Sequence, residues 1–401
     1  MAHWLRTIGL LALFFGLLSP PIAFAASNST NDGDGSLEEK VIRSQLDRLQ
    51  TEKVEDFWKE LQGEYGRYLP REAGGDLFDI ILSQAKKGWE WGDFFTAFVK
   101  YFFHEVLYNG KLLGTIIVLT VFSMILSTLQ TAFERNQVSK IAYAIAFMVI
   151  IILAMDSFSA AVESAKTAIG SMIDFMMALI PLVLTLLASM GNFGSVGMFH
   201  PLIVLMVHLI GKTIYSLVFP LLFFSAVLSI VSCLSDKYKV DHLANLLRKI
   251  SVGLLGSLLT VFLGIISVQG ATAAVTDGVA VRTAKYVTGN FVPVVGRMFS
   301  DAADTVVGAS LLVKNAVGMA GVLILLFISA FPALKILSLA FIYSFSAAVM
   351  QPLGHSPIIE CLGIISKTLI YVFAALATVG MMFFLAITII VAAGNISVMI
   401  R

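Results

Sequence analysis

The chain has 401 residues, of which 58% are hydrophobic and only 13% are charged. A typical soluble domain carries about 25% charged residues, so this composition excludes intrinsic disorder and argues against a soluble enzyme. The formal net charge of +1 gives no support to nucleic-acid binding. Two cysteines, Cys233 and Cys361, are too few for a disulfide scaffold or a cysteine-based zinc cluster.

Residues 1–26 have the three zones of a secretory signal peptide. Arg6 precedes an apolar run over residues 8–18, two prolines follow, and the small residues Ala23 and Ala25 fit a cleavage site. The alternative, a first transmembrane helix, needs a longer apolar run than this one. We therefore predict that the next segment is exported across the membrane.

Charge divides the remainder into two parts. Residues 27–110 hold 16 of the 26 acidic residues but only 10 of the 27 basic ones, a net of −6, whereas residues 111–401 have a net of +6. Capping and apolar spacing predict helices over 41–49, 54–61 and 77–85. Residues 27–88 are therefore expected to form an acidic helical extracytoplasmic domain. Its charges are either a solvated surface or a docking module for another extracytoplasmic protein.

Aromatic residues crowd the end of the acidic part. Nine aromatic side chains lie between Trp89 and Tyr108. Aromatic rings favour the headgroup level of a bilayer, so residues 89–110 are predicted to form an interfacial amphipathic helix. The alternative is that these rings form the core of the acidic domain.

Residues 111–401 predict an all-α polytopic membrane domain with about nine transmembrane helices, several of them short or broken by proline. The expected spans are 112–133, 141–155, 175–190, 201–218, 220–234, 250–271, 316–331, 334–350 and 368–392. The positive-inside rule places residues 235–249 and the C terminus in the cytoplasm. Two Phe-Pro pairs, at 219–220 and 331–332, suggest an inverted repeat of the kind found in transporters.

No catalytic, cofactor-binding or metal-binding motif is present in the sequence, which predicts a protein that is not an enzyme. Charged residues at membrane depth usually face a cavity or a partner. Six residues are therefore candidates for lining a pathway: Lys212, Asp277, Arg282, Lys285, Arg297 and Lys335. The alternatives are snorkelling of the two span lysines to the headgroups and a surface hairpin over 277–315.

Five sequence blocks resemble the stage III sporulation protein AE family of endospore-forming bacteria. They are FHEVLYNGKLLGTI (103–116), LANLLRKISVGLLGS (243–257), VQGATAAVTDGVAVRTAKYVTGNFVPVVGRMF (268–299), AFPALKI (330–336) and GNISVMIR (394–401). The resemblance runs from about residue 50 to the C terminus.

The resemblance implies a non-enzymatic subunit of a secretion-like channel complex, located in the mother-cell membrane around the forespore. Its implied partners are the other membrane proteins of the stage III sporulation A operon, stage II sporulation protein Q of the forespore, and a separate ATPase. The lack of a nucleotide-binding motif agrees with a subunit that leaves energy conversion to that ATPase. The alternative from the residues is a stand-alone secondary transporter with broken helices.

Overall fold

The computed structural model describes residues 51–69, 75, 77, 80, 91–132, 137–234, 240–291, 295–353 and 356–399. The predicted signal peptide, the helix predicted over 41–49 and most of that predicted over 77–85 lie outside the described residues.

Every regular element in the described ranges is helical, so the predicted all-α class is confirmed. The helix predicted over 54–61 is confirmed as part of α1. The α-helices of the described residues are α1 (Glu52–Tyr65), α2 (Trp91–Tyr108), α3 (Gly110–Ala132), α4 (Gln137–Ser189), α5 (Phe193–Thr213), α6 (Phe219–Leu234), α7 (Asp241–Phe291), α8 (Val295–Met350) and α9 (Pro357–Met399). A π-helical turn, Ile214–Val218, joins α5 to α6, and a 3₁₀ turn, Gln351–Leu353, follows α8.

Several helices are long and apolar enough to cross a bilayer, as in a multi-pass membrane protein. The described residues contain five such helices: α4, α5 and α6 together, α7, α8 and α9. The number is six if α2 and α3, which are bent by 48° relative to each other, form one further span. The prediction of nine spans is therefore too high.

The excess arises because three predicted breaks lie within continuous helix. Residues 156–174 belong to α4, Pro332 lies inside α8, and the chain passes through Pro220 with a π-helical turn instead of a reversal. A proline removes one backbone hydrogen bond, which neighbouring helices and polar side chains can compensate in an apolar bundle. A π-helical turn accommodates such a defect without ending the helix.

Contacts between distant helices fix their directions. Ser189 Oγ donates to Ser310 Oγ at 3.3 Å, which places the end of α4 beside the start of the buried part of α8. Lys314 Nζ donates to Asn395 Oδ1 at 2.5 Å, which places the same part of α8 beside the end of α9. At the opposite end of the bundle, the thiols of Cys233 and Cys361 are hydrogen-bonded to each other.

These contacts join residues that the nine-span prediction places on opposite membrane faces, so that arrangement is wrong. They also make α6 and α8 run in the same direction, since both are antiparallel to α9 at the contacts above. The two Phe-Pro pairs therefore lie in parallel helices, and the suggested inverted repeat is wrong as well.

Candidate functional site

An aromatic seat on α8, formed by Phe327 and Phe331, receives the two N-terminal helices. The two rings stack on each other with centroids 5.7 Å apart. Tyr65 of α1 stacks on Phe331 at 4.1 Å and nearly parallel, and Phe98 of α2 contacts both rings at 6.0 and 5.7 Å. Aromatic pairs at such distances stabilise beyond their buried area, so α1 and α2 are fixed to the middle of α8.

The spacing of apolar residues explains why these helices dock by one face. Val54, Trp58 and Leu61 of α1 recur at helical spacing and are buried. On α2, Phe98 is 4% exposed while its neighbour Phe95 is 59% exposed. The aromatic helix therefore packs one face against the bundle and presents the other outward.

A cavity of about 670 Å³ lies beside this seat, between α1, α2, α4 and α8. Its walls carry Glu60 and Glu64 of α1, Glu105 of α2 and Glu163 of α4. Lys335 of α8 is the one lysine or arginine among the described residues of the wall. The site is thus built from four carboxylates on three separate helices and a single opposing lysine.

Tyrosines hold two of these carboxylates in place. Tyr65 Oη donates to Glu64 Oε1 at 2.8 Å, and Tyr101 Oη donates to Glu105 Oε1 at 3.0 Å. Burial raises the pKa of Tyr65 above its ordinary value, and the adjacent Glu64 adds to the effect. The phenol therefore stays protonated and continues to donate. Carboxylates and aromatic ring faces can both attract a cation. In the described chain, however, no group of three or more His, Cys, Asp or Glu residues could hold a metal ion.

A second polar centre lies about 30 Å away along α8, counting 1.5 Å per residue, where Lys314 is fully buried. Its ammonium donates to Val391 O at 2.9 Å and to Asn395 Oδ1, both on α9. Gly394 has no side chain and so makes room for the ammonium, because a Cβ at this position would lie 2.7 Å from Lys314 Nζ. Lys314 therefore connects α8 to the last turns of α9 through neutral acceptors.

The predicted pathway residues fall into three groups. Lys335 lies on the cavity wall, whereas Lys212 of α5 is exposed and lies outside that wall. Asp277, Arg282, Lys285 and Arg297 lie on the helical backbone of α7 and α8, but their side chains are outside the described residues. The structure does not bring Lys212 and Lys335 together, and a pathway role for the six residues stays a prediction.

Sequence reasoning missed both polar centres. Glu60 and Glu64 belong to the acidic segment whose charges were predicted to form either a solvated surface or a docking module, and Glu105 and Glu163 were not singled out as site residues. The convergence of the four glutamates depends on how α1, α2 and α4 pack around α8. Lys314 falls at the end of the polar stretch 277–315, and its partner Asn395 is 81 residues further along the chain. The available signal was a single lysine only two residues before the apolar run that begins at Ala316.

Comparisons with known proteins agree on one family. The family model described as Stage III sporulation protein AE matches residues 75–394. The Stage III sporulation protein AE of Bacillus subtilis (strain 168) is 52% identical over 381 residues, which cover 95% of each chain. No solved structure matches the chain significantly. The protein, whose helices are those of a multi-pass membrane protein, therefore belongs to the stage III sporulation protein AE family, a family named for sporulation and not for an enzyme activity.

Proposed function

We propose that the protein is a non-enzymatic membrane subunit of a secretion-like channel complex that spans the two membranes between mother cell and forespore. The observation that carries this proposal is the docking of α1 and α2 onto the middle of α8. With an exported N-terminal segment, α1 and α2 would enter the bundle from the extracytoplasmic side, where the ectodomains of other subunits assemble.

The proposed partners are those that the family resemblance implies. The proposed neighbours are the other membrane proteins encoded by the stage III sporulation A operon and, through the complex, stage II sporulation protein Q of the forespore. A separate ATPase would supply energy, since the sequence has no nucleotide-binding motif. The exposed apolar side chains of the bundle, such as Val118 and Ile152, would contact membrane lipid.

Orientation follows from the helix directions and the charges. If α2 and α3 form one span that begins outside, three crossings bring the chain to residues 235–249 on the cytoplasmic side, in agreement with the positive-inside rule. Three further crossings, by α7, α8 and α9, would return the C terminus to the outside. The cytoplasmic C terminus expected from the sequence depends on an odd number of crossings, so we propose the opposite location for it.

Paired substitutions in sporulating cells test the proposal. Phe98→Asp places a charge in the aromatic seat, whereas Phe95→Asp places the same charge on the exposed side of the same helix. We expect Phe98→Asp to abolish co-purification with the operon's other membrane proteins and to reduce spore yield, while Phe95→Asp behaves like wild type. Equal amounts of both variants in the membrane fraction are the control for expression. Normal co-purification of a Phe98→Asp protein would contradict the proposal.

A further inference from the structure

We propose that the cavity between α1, α2, α4 and α8 binds a basic peptide segment, rich in lysine or arginine, of a partner protein. The inference rests on the proposed function, because it assigns a kind of partner to a site on the docked N-terminal helices. Three properties of the cavity support the inference: its volume, its charge and its aromatic lining.

The charge of the cavity favours a cation. Glu60, Glu64 and Glu163 are exposed to solvent on the cavity wall, and Glu105 is half-buried. Like charges brought together by separate helices repel one another and contribute nothing to packing. With Lys335 as the only opposing lysine or arginine on the described wall, the walls carry an excess of three negative charges. A bound cation removes this repulsion.

The aromatic lining favours an amine or guanidinium over an inorganic ion. Phe57, Tyr65, Tyr68 and Tyr101 all line the cavity, and Tyr68 meets Tyr101 edge-on at 5.1 Å. Ring faces beside carboxylates attract lysine and arginine side chains by cation–π interactions and also accommodate their apolar stems. The lining therefore matches the chemistry of a basic side chain.

The size and position of the cavity favour a peptide. A volume of about 670 Å³ is within the range that holds an organic ligand of several groups. The wall is shared between the N-terminal helices and the bundle, so a segment bound there would contact both. Such a contact would link a partner to the docked state of α1 and α2.

Binding of a defined probe to the purified full-length protein in detergent tests the proposal. The probes are two fluorescent peptides, the basic KKYKK and its acidic counterpart EEYEE. Their binding is measured by fluorescence anisotropy. We expect KKYKK to bind, EEYEE not to bind, and Glu60→Gln combined with Glu163→Gln to weaken KKYKK binding about tenfold or more. The matched control is Glu52→Gln combined with Asp93→Asn, which removes the same charge from exposed positions outside the cavity. This control should bind KKYKK like wild type.

A substitution that should increase the affinity for KKYKK makes the test specific to the cavity. Lys335→Gln removes the one opposing lysine of the described wall, so it should tighten KKYKK binding, by about threefold to tenfold. A protein damaged by substitution would lose affinity, so a gain separates the electrostatic effect from misfolding.

Three results would overturn the inference. They are wild-type affinity of the Glu60/Glu163 variant, an equal loss of affinity in the Glu52/Asp93 control, and binding of spermidine without binding of KKYKK, which would make the site one for small amines. Failure of the proposed function is distinguishable, because it would appear as normal co-purification of the Phe98→Asp protein in cells while KKYKK still binds to the purified wild-type protein.

Discussion

Lys314 gives the most direct test of the helix packing. Its side chain is fully buried, and its two described acceptors are uncharged groups of α9, Val391 O and Asn395 Oδ1. Asn395 is only partly buried, so its amide can turn to other partners when the lysine is removed. The ammonium has no such alternative. The two partners should therefore respond unequally to substitution.

Asn395→Leu leaves the buried ammonium with one acceptor, and we expect it to lower the free energy of unfolding by about 1–3 kcal/mol. Lys314→Met keeps most of the side-chain volume and removes the buried ion, so its effect should stay within about 1.5 kcal/mol of wild type. The double variant replaces both partners by apolar groups and should recover most of the loss caused by Asn395→Leu. The expected coupling is about 1–2 kcal/mol.

Thermal unfolding of the four proteins in one detergent measures this cycle. Lys335→Met is the matched control, because Lys335 is exposed on the same helix and should show no coupling with Asn395→Leu. Additive effects of Lys314→Met and Asn395→Leu would refute the reasoning, since they would mean that the ammonium does not depend on Asn395.

Two further predictions concern the bundle. A Cβ on Gly318 would lie 2.5 Å from Val391 Cγ2, so Gly318→Ala should force α8 and α9 apart and reduce the free energy of unfolding by about 1–3 kcal/mol. Gly253→Ala meets no atom within 4 Å and should stabilise α7 by about 0.5–1 kcal/mol; equal gains in both variants would contradict the close approach. Oxidation of the full-length protein with copper phenanthroline should join Cys233 to Cys361 within one chain, detected by peptide mass spectrometry. Separate alkylation of both thiols without a cross-link would contradict the contact between them.

The sequence predicted the helical class and the apolar body well, because composition and apolar run length act locally. It failed at Pro332 and Pro220, where proline was interpreted as the end of a span. Pro332 lies inside α8, whose neighbouring residues Phe331 and Ile336 are fully buried. The packing of other helices around this proline keeps the helix continuous, and that packing has no local sequence signature.

The cavity was beyond prediction for a related reason. Glu60 and Glu64 are four residues apart on α1, so the sequence places them on one face of the helix. It does not say that this face meets Glu163, about 100 residues further along, beside Lys335 on yet another helix. The aromatic seat of α8 brings α1 and α2 to this position, and Phe57 of α1 meets Phe175 of α4 at 5.3 Å.

Two exposed apolar side chains lie too far apart for one bilayer to cover both. Ile152 of α4 and Phe193, just after the end of α4, are 65% and 72% exposed. The 37 residues from Ile152 to Ser189 extend about 55 Å along the helix at 1.5 Å per residue. Even at a tilt of about 40°, the two exposed positions would be about 42 Å apart along the bilayer normal. The hydrocarbon layer is about 30 Å thick, so lipid alone cannot cover both ends, and a partner surface at one of them would bury what the bilayer leaves in water.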